Sequence, residues 1–270
     1  MRIVRVKNVA FGKKKTLPLI AGPCVAESRD ICMGIAEGLV KIAKKLDIPL
    51  VFKASYDKAN RSSIASYRGP GLEKGLEILQ EIREKFDIPI LTDVHSPEEA
   101  KIVGKVVDIL QIPAFLCRQT DLIVAAGETG KIVNVKKAQF MSPYDMINIV
   151  TKLESTGNTK IMLTERGTAF GYNNLVSDMR SIPQMQEFNY PVIFDATHSV
   201  QKPGGGGTCS SGDGYLAPYL ARAAVAVGAN GLFVETHTDV TKALSDKDNM
   251  IPLDQLEKLM KQLQQINAIV

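Results

Sequence analysis

Short apolar runs alternate with amphipathic stretches along almost the whole chain. The runs are LPLIAG at 17–22, PLVFKA at 49–54, PILTDV at 89–94 and DILQIPA at 108–114. KIVNVKK at 131–137, KIMLTERG at 160–167, PVIFDATH at 191–198 and GLFVETH at 231–237 follow. They are rich in β-branched residues and too short for helices, as expected of strands buried on both faces. Between them the period changes. IAEGLVKIAKKL at 35–46 and LEKGLEILQEIREKF at 72–86 carry helical spacing, and Ser96-Pro97-Glu98-Glu99 reads as an N-cap, a first-turn proline and a capping glutamate. Ser142-Pro143 repeats that opening, 214–228 is Ala-rich and periodic, and PLDQLEKLMKQLQQI ends the chain. Eight strand-like runs, each followed by a helix-length segment, predict parallel βα units. Eight such units in about 250 residues predict an α/β fold of the (β/α)8 TIM-barrel type. The first sixteen residues predict a short hairpin, MRIVRVKNV turning at Gly12, that caps the N-terminal mouth of the barrel. With no linker and no second core, residues 1–270 are expected to form one domain, with 1–16 as an extension.

Composition narrows the function classes. No apolar run reaches the roughly 18 residues needed to span a bilayer, and MRIVRVKNVAFGKKK lacks the apolar core of a secretory signal. No membrane partner and a cytoplasmic address are expected. The net charge of +4 is mild, Trp is absent, and no basic stripe interleaves with aromatics, so nucleic acid is not an expected partner. Cys24, Cys32, Cys117 and Cys209 form no CxxC pair and are expected to be thiols.

In a barrel of this type the chemistry sits at the carboxyl ends of the strands, and polar residues gather there. Cys24 and Glu27 follow the first run; Lys53, Lys58, Asn60, Arg61 and Ser62 follow the second; Asp93 and His95 follow the third. Gln111 lies on the fourth and leads to Arg118. Lys136 and Lys137 end the fifth, Glu165 and Arg166 the sixth, Asp195 and His198 the seventh, and Glu235 and His237 the eighth. Lys53, Lys58, Lys136 and Arg166 would repel one another at the axis unless an anion lay among them, and phosphate with carboxylate suits that. Two other readings stand beside it. The cations pair with Asp93, Asp195 and Glu165 as structural salt bridges, or one lysine forms a Schiff base. Cys24, His198, Glu235 and Asp246 make a mixed donor set suited to one divalent ion, Zn, Fe or Mn, although lone Cys and His residues are more often structural. The loops at 58–71 and 201–214 are expected to be lids or surface excursions.

Several segments resemble the 3-deoxy-D-manno-octulosonate 8-phosphate synthase family. They are AGPCVAES at 21–28, FKASYDKANRSS at 52–63, LTDVH at 91–95, QIPAFLCRQTDL at 111–122 and VNVKKAQF at 133–140. LTERGTAFGY at 163–172, FDATHSVQKPG at 194–204, FVETH at 233–237 and ALSD at 243–246 continue the series in order. The resemblance implies condensation of phosphoenolpyruvate with D-arabinose 5-phosphate and water, giving the eight-carbon sugar acid phosphate and inorganic phosphate for the lipopolysaccharide inner core. It implies a homotetramer. By matching motifs, Lys53, Lys58, Lys136 and Arg166 look like the phosphoenolpyruvate clamp, with Ala114 and Phe115 nearby and Gln111 on the wall. Asn60, Arg61 and Ser62 look like the aldose phosphate site, and Arg118 like a group reaching a neighbouring subunit. Lys58, Asp93, His95, Lys136 and Asp246 are the implied catalytic candidates. Cys24 stands where a metal-independent branch carries Asn, so the chain resembles the metal-dependent branch with Cys24, His198, Glu235 and Asp246 as ligands.

One departure concerns the glycine-rich loop, which reads Ser211-Gly212-Asp213-Gly214-Tyr215 where relatives often carry Arg after Ser-Gly-Gly. The nearest rival is 3-deoxy-D-arabino-heptulosonate 7-phosphate synthase, which uses erythrose 4-phosphate and carries Lys-Pro-Arg-Thr-Ser in place of Lys58-Ala59-Asn60-Arg61-Ser62. A catalytically inactive barrel acting as a binding protein is the alternative of a different class.

Overall fold

The computed structural model describes residues 1–13, 15–207 and 210–270, so Cys209, expected to be a thiol, lies outside the described residues together with Thr208 and Lys14. Eight parallel strands correspond to the eight apolar runs: β1 (Leu19–Gly22), β2 (Leu50–Lys53), β3 (Ile90–Asp93), β4 (Ile109–Ile112), β5 (Ile132–Lys136), β6 (Ile161–Glu165), β7 (Val192–Asp195) and β8 (Leu232–His237). Each pairs with the next in sequence. β8 pairs both with β7, at Phe194↔Leu232, and with β1, at Glu235↔Gly22, which closes the barrel. The α/β barrel expected from the run count is the fold observed.

Helices α1 (Arg29–Leu46), α2 (Leu72–Phe86), α3 (Pro97–Val103), α4 (Thr120–Glu128), α5 (Met146–Glu154), α6 (Ser181–Gln186), α7 (Ala217–Ala226) and α8 (Leu253–Ile269) follow the strands in turn. α1 begins before the periodic stretch at 35–46 because Ser28 Oγ caps it, accepting from Ile31 N at 3.3 Å. Ser142 and Gly214 each open a 3-10 turn, Pro143–Asp145 and Gly214–Leu216, before α5 and α7 begin. Among the described residues no helix is long and apolar enough to cross a membrane.

Alternation along the strands explains the interior. One residue of each strand, Ile20, Val51, Leu91, Ile109, Ile132, Met162, Ile193 and Phe233, joins Val4, Val9 and Phe11 of the N-terminal hairpin in a separate apolar cluster. The hairpin therefore plugs the N-terminal mouth, as expected. Its turn is not at Gly12. Val4–Val6 and Val9–Phe11 pair Val4↔Phe11 and Val6↔Val9, so the turn is Lys7–Asn8, with Lys7 at φ 46°. Gly12, at φ 82°, instead redirects the chain after the hairpin, and a Cβ there would meet Arg2 O at 2.9 Å. Two residues further along each strand the layer changes character: Gly22, Lys53, Asp93, Gln111, Asn134, Thr164, Asp195 and Glu235, all buried. A polar floor thus lies directly above the apolar plug.

Candidate active site

Lys53, Lys58, Asn60, Arg61, Ser62, Asp93, His95, Gln111, Ala114, Phe115, Lys136, Arg166, His198, Glu235 and Asp246 line one cavity. Cys24 is not on its wall but fully buried beside it, with Sγ 3.0 Å from Asp246 Oδ2. Arg118 is exposed and does not line the cavity; its carbonyl accepts from Lys152. Gly22 makes the close approach of β1 and β2 possible, because a Cβ there would lie 1.9 Å from Lys53 O. That approach lets Lys53 Nζ donate to Cys24 O at 2.9 Å and to Pro23 O at 3.3 Å.

The cations divide into paired and unpaired groups. Lys53 Nζ lies 2.5 Å from Glu235 Oε1 with both side chains buried, and Lys136 Nζ lies 2.6 Å from Asp195 Oδ2 and 3.8 Å from the Phe233 ring centroid. Lys137 points away from the axis. It bonds to Glu165 Oε1 at 3.6 Å and to the carbonyls of Ala138, Met141 and Gly167, so this pair is structural. Among the described residues Asp93 has no lysine within 4.0 Å; it accepts from Gln111 Nε2 at 2.5 Å and from Ser55. Arg166 is buried and, among the described residues, has no carboxylate within 4.0 Å; Nη2 donates to His198 O and to Gln201 Oε1. Lys58 approaches a carboxylate only at 3.9 Å, from Glu235. Burial opposes charge on Lys58, but Cys24 and the carboxylates of Glu235, Asp93 and Asp246 outweigh it and raise its pKa. A buried guanidinium with no carboxylate in contact among the described residues and a loosely held ammonium, both on the cavity wall, are the features of a candidate anion site.

Behind Asp93 runs a chain of donors across four strands. Thr164 Oγ1 donates to Asn134 Oδ1 at 2.7 Å, Asn134 Nδ2 to Gln111 Oε1 at 2.9 Å, and Gln111 Nε2 to Asp93. Each bond points toward the carboxylate. Burial works against the Asp93 charge, but Lys58, Lys53, Lys136 and the Gln111 amide hold it well below the usual carboxylate range.

The donor set expected for a metal is partly convergent. Ligand atoms of Cys24, Glu235 and Asp246 all lie within 4.8 Å of one another. His198 falls outside that mutual limit, yet its Nε2 is 3.5 Å from Glu235 Oε1. Its Nδ1 bonds to Asp195 Oδ2 at 2.7 Å, the arrangement in which the other nitrogen presents a lone pair to a cation. Burial first, then Asp246 and Glu235, push the Cys24 thiol up. Glu235 is held well below its usual range by His198, Lys53, Lys58 and Lys136 against the opposing effect of burial. One thiol, two carboxylates and an oriented imidazole fit a borderline-soft divalent ion.

Sequence reasoning missed several contributors. Gln201 accepts from Arg166 and donates to Asp246 Oδ1 at 2.7 Å, joining Arg166 to the donor cluster, but neither the FDATHSVQKPG segment nor the loop at 201–214 singles it out. Ser245 bonds to Cys24 at 2.9 Å and to Arg61. Gln139, buried on the cavity wall, leaves Oε1 without a partner. Of the two loops, 58–71 supplies Lys58 to Ser62 and Ser66 to the wall. The second folds back, with Gln201–Lys202 pairing antiparallel to Ser211–Gly212 and Lys202 bridging to Asp213 at 2.8 Å.

The pattern of the DAHP synthetase I family matches residues 1–270. The chain is 58% identical over 268 residues to the 2-dehydro-3-deoxyphosphooctonate aldolase of Granulibacter bethesdensis, covering 99% of this chain and 95% of that protein. It is 57% identical to the same-named protein of Fusobacterium nucleatum, over 99% of this chain and 96% of the relative, and 53% identical to that of Protochlamydia amoebophila, over 100% and 98%.

Proposed function

Because the chain belongs to the DAHP synthetase I family, as a full-length relative of its 2-dehydro-3-deoxyphosphooctonate aldolases, we infer that it is a transferase acting at this cavity. It condenses phosphoenolpyruvate with D-arabinose 5-phosphate and water, giving 3-deoxy-D-manno-octulosonate 8-phosphate and inorganic phosphate. The observation that carries the reading is the cationic wall of Arg166, with no carboxylate in contact among the described residues, and loosely held Lys58 beside the paired Lys53 and Lys136. Two phosphorylated substrates, one also a carboxylate, supply the missing negative charge. The five-carbon sugar is favoured over erythrose 4-phosphate by the names of the full-length relatives and by Asn60, where the seven-carbon enzyme is expected to carry Arg. A single barrel domain over 1–270 and a cytoplasmic address agree with this activity.

The proposed residue roles rest on the matched motifs and are supported by placement around the cavity. Arg166, Lys136, Lys58 and Lys53 hold the phosphate and carboxylate of phosphoenolpyruvate near the backbone of Ala114 and Phe115, with Gln111 below. Asn60, Arg61 and Ser62, on the same loop as Lys58, bind the aldose phosphate. Catalysis here is positioning and charge stabilisation. The enol carbon bonds to the sugar aldehyde carbon while water adds to the adjacent carbon, losing a proton; the aldehyde oxygen gains one. The carbon–oxygen bond of the resulting hemiketal phosphate then breaks as its hydroxyl becomes the ketone, the hydroxyl proton being lost and phosphate leaving. Asp93, His95 and Asp246 are within the cavity to carry those protons. Cys24, His198, Glu235 and Asp246 would hold one divalent ion, Zn, Fe or Mn, as in the metal-dependent branch. When bound, such an ion supplies Lewis-acid polarisation and a more acidic water.

A homotetramer is part of the proposal. Its support is the run of exposed aromatics on the neighbouring loops after β4, β5 and β6: Phe115 (52%), Phe140 (62%) and Phe170 (64%), with exposed Arg118 beside Phe115. A place for the product in lipopolysaccharide inner-core synthesis is part of the same proposal, as the family resemblance implies. A phosphate-release assay tests the function. Phosphoenolpyruvate with arabinose 5-phosphate should release phosphate and with erythrose 4-phosphate should not; a chelator should abolish release. Preference for the four-carbon sugar, or no release with either, would overturn the reading.

A further inference from the structure

Glu99 is three residues past the N-cap of α3, the position at which a glutamate ordinarily bonds back to the cap backbone. Here its carboxylate turns elsewhere. Ser96 Oγ does accept from Glu99 N at 3.2 Å, but Glu99 Oε2 accepts from His95 N at 2.8 Å, from Tyr56 Oη at 2.7 Å and from the His95 ring at Nδ1, 3.2 Å away. One carboxylate oxygen therefore ties the loop after β2 to the loop after β3, and the ring of Tyr56 stacks edge-on against that of His95 with centroids 5.4 Å apart.

The direction of each bond is determined by chemistry. Burial first, and then the Glu99 bond, push the Tyr56 phenol up, so it keeps its proton and donates. The His95 backbone N–H can only donate. An oxygen already taking two donors is an acceptor for the third, which requires the proton of the imidazole to sit on Nδ1. The other ring nitrogen, Nε2, has no protein partner among the described residues, and His95 lines the cavity. Free neutral imidazole side chains favour the opposite tautomer, so the environment has to impose this one. Besides Glu99 and the stacked Tyr56, the nearby charged groups are Asp57 of the loop after β2 and Asp93 of β3, which act on the Tyr56 phenol, and Arg68 of the same loop as Asp57, on which Glu99 acts.

We propose that Glu99 is a positioning residue that fixes His95 in the Nδ1–H tautomer and so presents a bare Nε2 to the reacting sugar and water. This rests on the cavity being the condensation site. Nothing in the capping motif alone announces it: the glutamate that looks like a helix cap is an orienting group for a histidine one residue outside the helix.

The test combines nitrogen-15 spectra of the imidazoles with kinetics. The chain has three histidines, so His95 is assigned with a His95→Gln control. In the wild type its two-bond couplings should report the Nδ1–H form. Glu99→Ala should return it to the Nε2–H form and lower kcat by about 10–100-fold, the usual cost of losing an orienting partner, with KM for both substrates changed less than about twofold. Glu99→Gln, which keeps an acceptor oxygen, should retain most of the tautomer and lie between. Tyr56→Phe leaves the Glu99–His95 bond in place, so it should keep the Nδ1–H form; a switch to Nε2–H there would show that Tyr56 rather than Glu99 sets the tautomer. A wild-type His95 protonated at Nε2, or a tautomer unmoved in Glu99→Ala and Glu99→Gln alike, would overturn the proposal. An absence of phosphate release by the wild type sinks the condensation reading instead, and the spectra decide the tautomer regardless.

Discussion

Gln111 donates its side-chain amide to Asp93 Oδ1 at 2.5 Å, and its own carbonyl is held by Asn134, whose carbonyl is held in turn by Thr164. An amide that accepts from behind and donates forward cannot flip without losing both bonds, so the donor end of Gln111 is committed to the carboxylate. Asn134→Ala removes the middle link and leaves Gln111 Oε1 buried without a donor. That should cost about 1–3 kcal/mol in urea unfolding. A change below a few tenths of a kcal/mol would mean the chain is dispensable.

Asp93, Asp195 and Glu235 share a direction of pKa shift. In each, burial opposes the charge and neighbouring cations outweigh it, so the folded-state value is depressed. A depressed carboxyl contributes stability that is present above its unfolded value and is lost as pH falls through that value toward the folded one. The urea midpoint should therefore hold steady from neutral pH down to about pH 5 and fall steeply below about pH 4, near the ordinary carboxylate values. Asp93→Asn should start lower at neutral pH and decline less on acidification. A midpoint that rises on acidification would contradict the assignment of these pairs.

Most of the barrel was legible because strands buried on both faces leave compact β-branched runs with little ambiguity of length. The polar floor was legible as well: Lys53, Asp93, Gln111, Asp195 and Glu235 each stand two residues beyond an apolar position that faces the plug, which is what a two-residue period requires. Three things were not. The hairpin turn at Lys7–Asn8 uses a positive φ at a lysine, which no residue preference signals, while Gly12 drew attention by being a glycine. Lys136 and Lys137 are adjacent in sequence, but strand alternation sends them to opposite faces, so only one reaches the cavity. Gln201 bridges Arg166 and Asp246 across 35 and 45 residues of chain, and a side-chain amide in a glycine-rich loop carries no local mark of such a contact.

Arg166 makes the sharpest binding prediction. Its guanidinium is buried and, among the described residues, bonded only to neutral acceptors, His198 O and Gln201 Oε1, which leaves its charge for a ligand. Lys136 differs, because Asp195 already neutralises it at 2.6 Å. Loss of one charge-assisted bond is worth about 1.5–3 kcal/mol, so Arg166→Ala should weaken phosphoenolpyruvate binding by on the order of 10–100-fold in calorimetry. Arg166→Lys should recover only part, since an ammonium cannot reproduce the planar fork. Equal affinity in wild type and Arg166→Ala would place the phosphate elsewhere.

Cys24 decides whether the donor cluster is a metal site or a set of buried hydrogen bonds. Its Sγ is within bonding distance of Asp246 Oδ2 and Ser245 Oγ, so a purely structural role is geometrically satisfied without any ion. The two roles separate under substitution. As a structural thiol, Cys24→Ser should preserve the contacts with a smaller atom and leave metal content untouched. As a ligand, the soft donor is what holds a borderline ion, and hydroxyl does not replace thiolate. We expect the wild type, dialysed against zinc or manganese and then desalted, to keep about one ion per chain by elemental analysis, the usual stoichiometry of such a site. Cys24→Ser and Cys24→Ala should keep almost none, with the unfolding midpoint of the chelated proteins little changed. Asp195→Asn, which leaves every ligand in place but loosens the His198 ring, should weaken retention by about 10–100-fold. Equal metal content in wild type and both cysteine variants would assign Cys24 to the packing of the β1–β8 seam and remove it from the site.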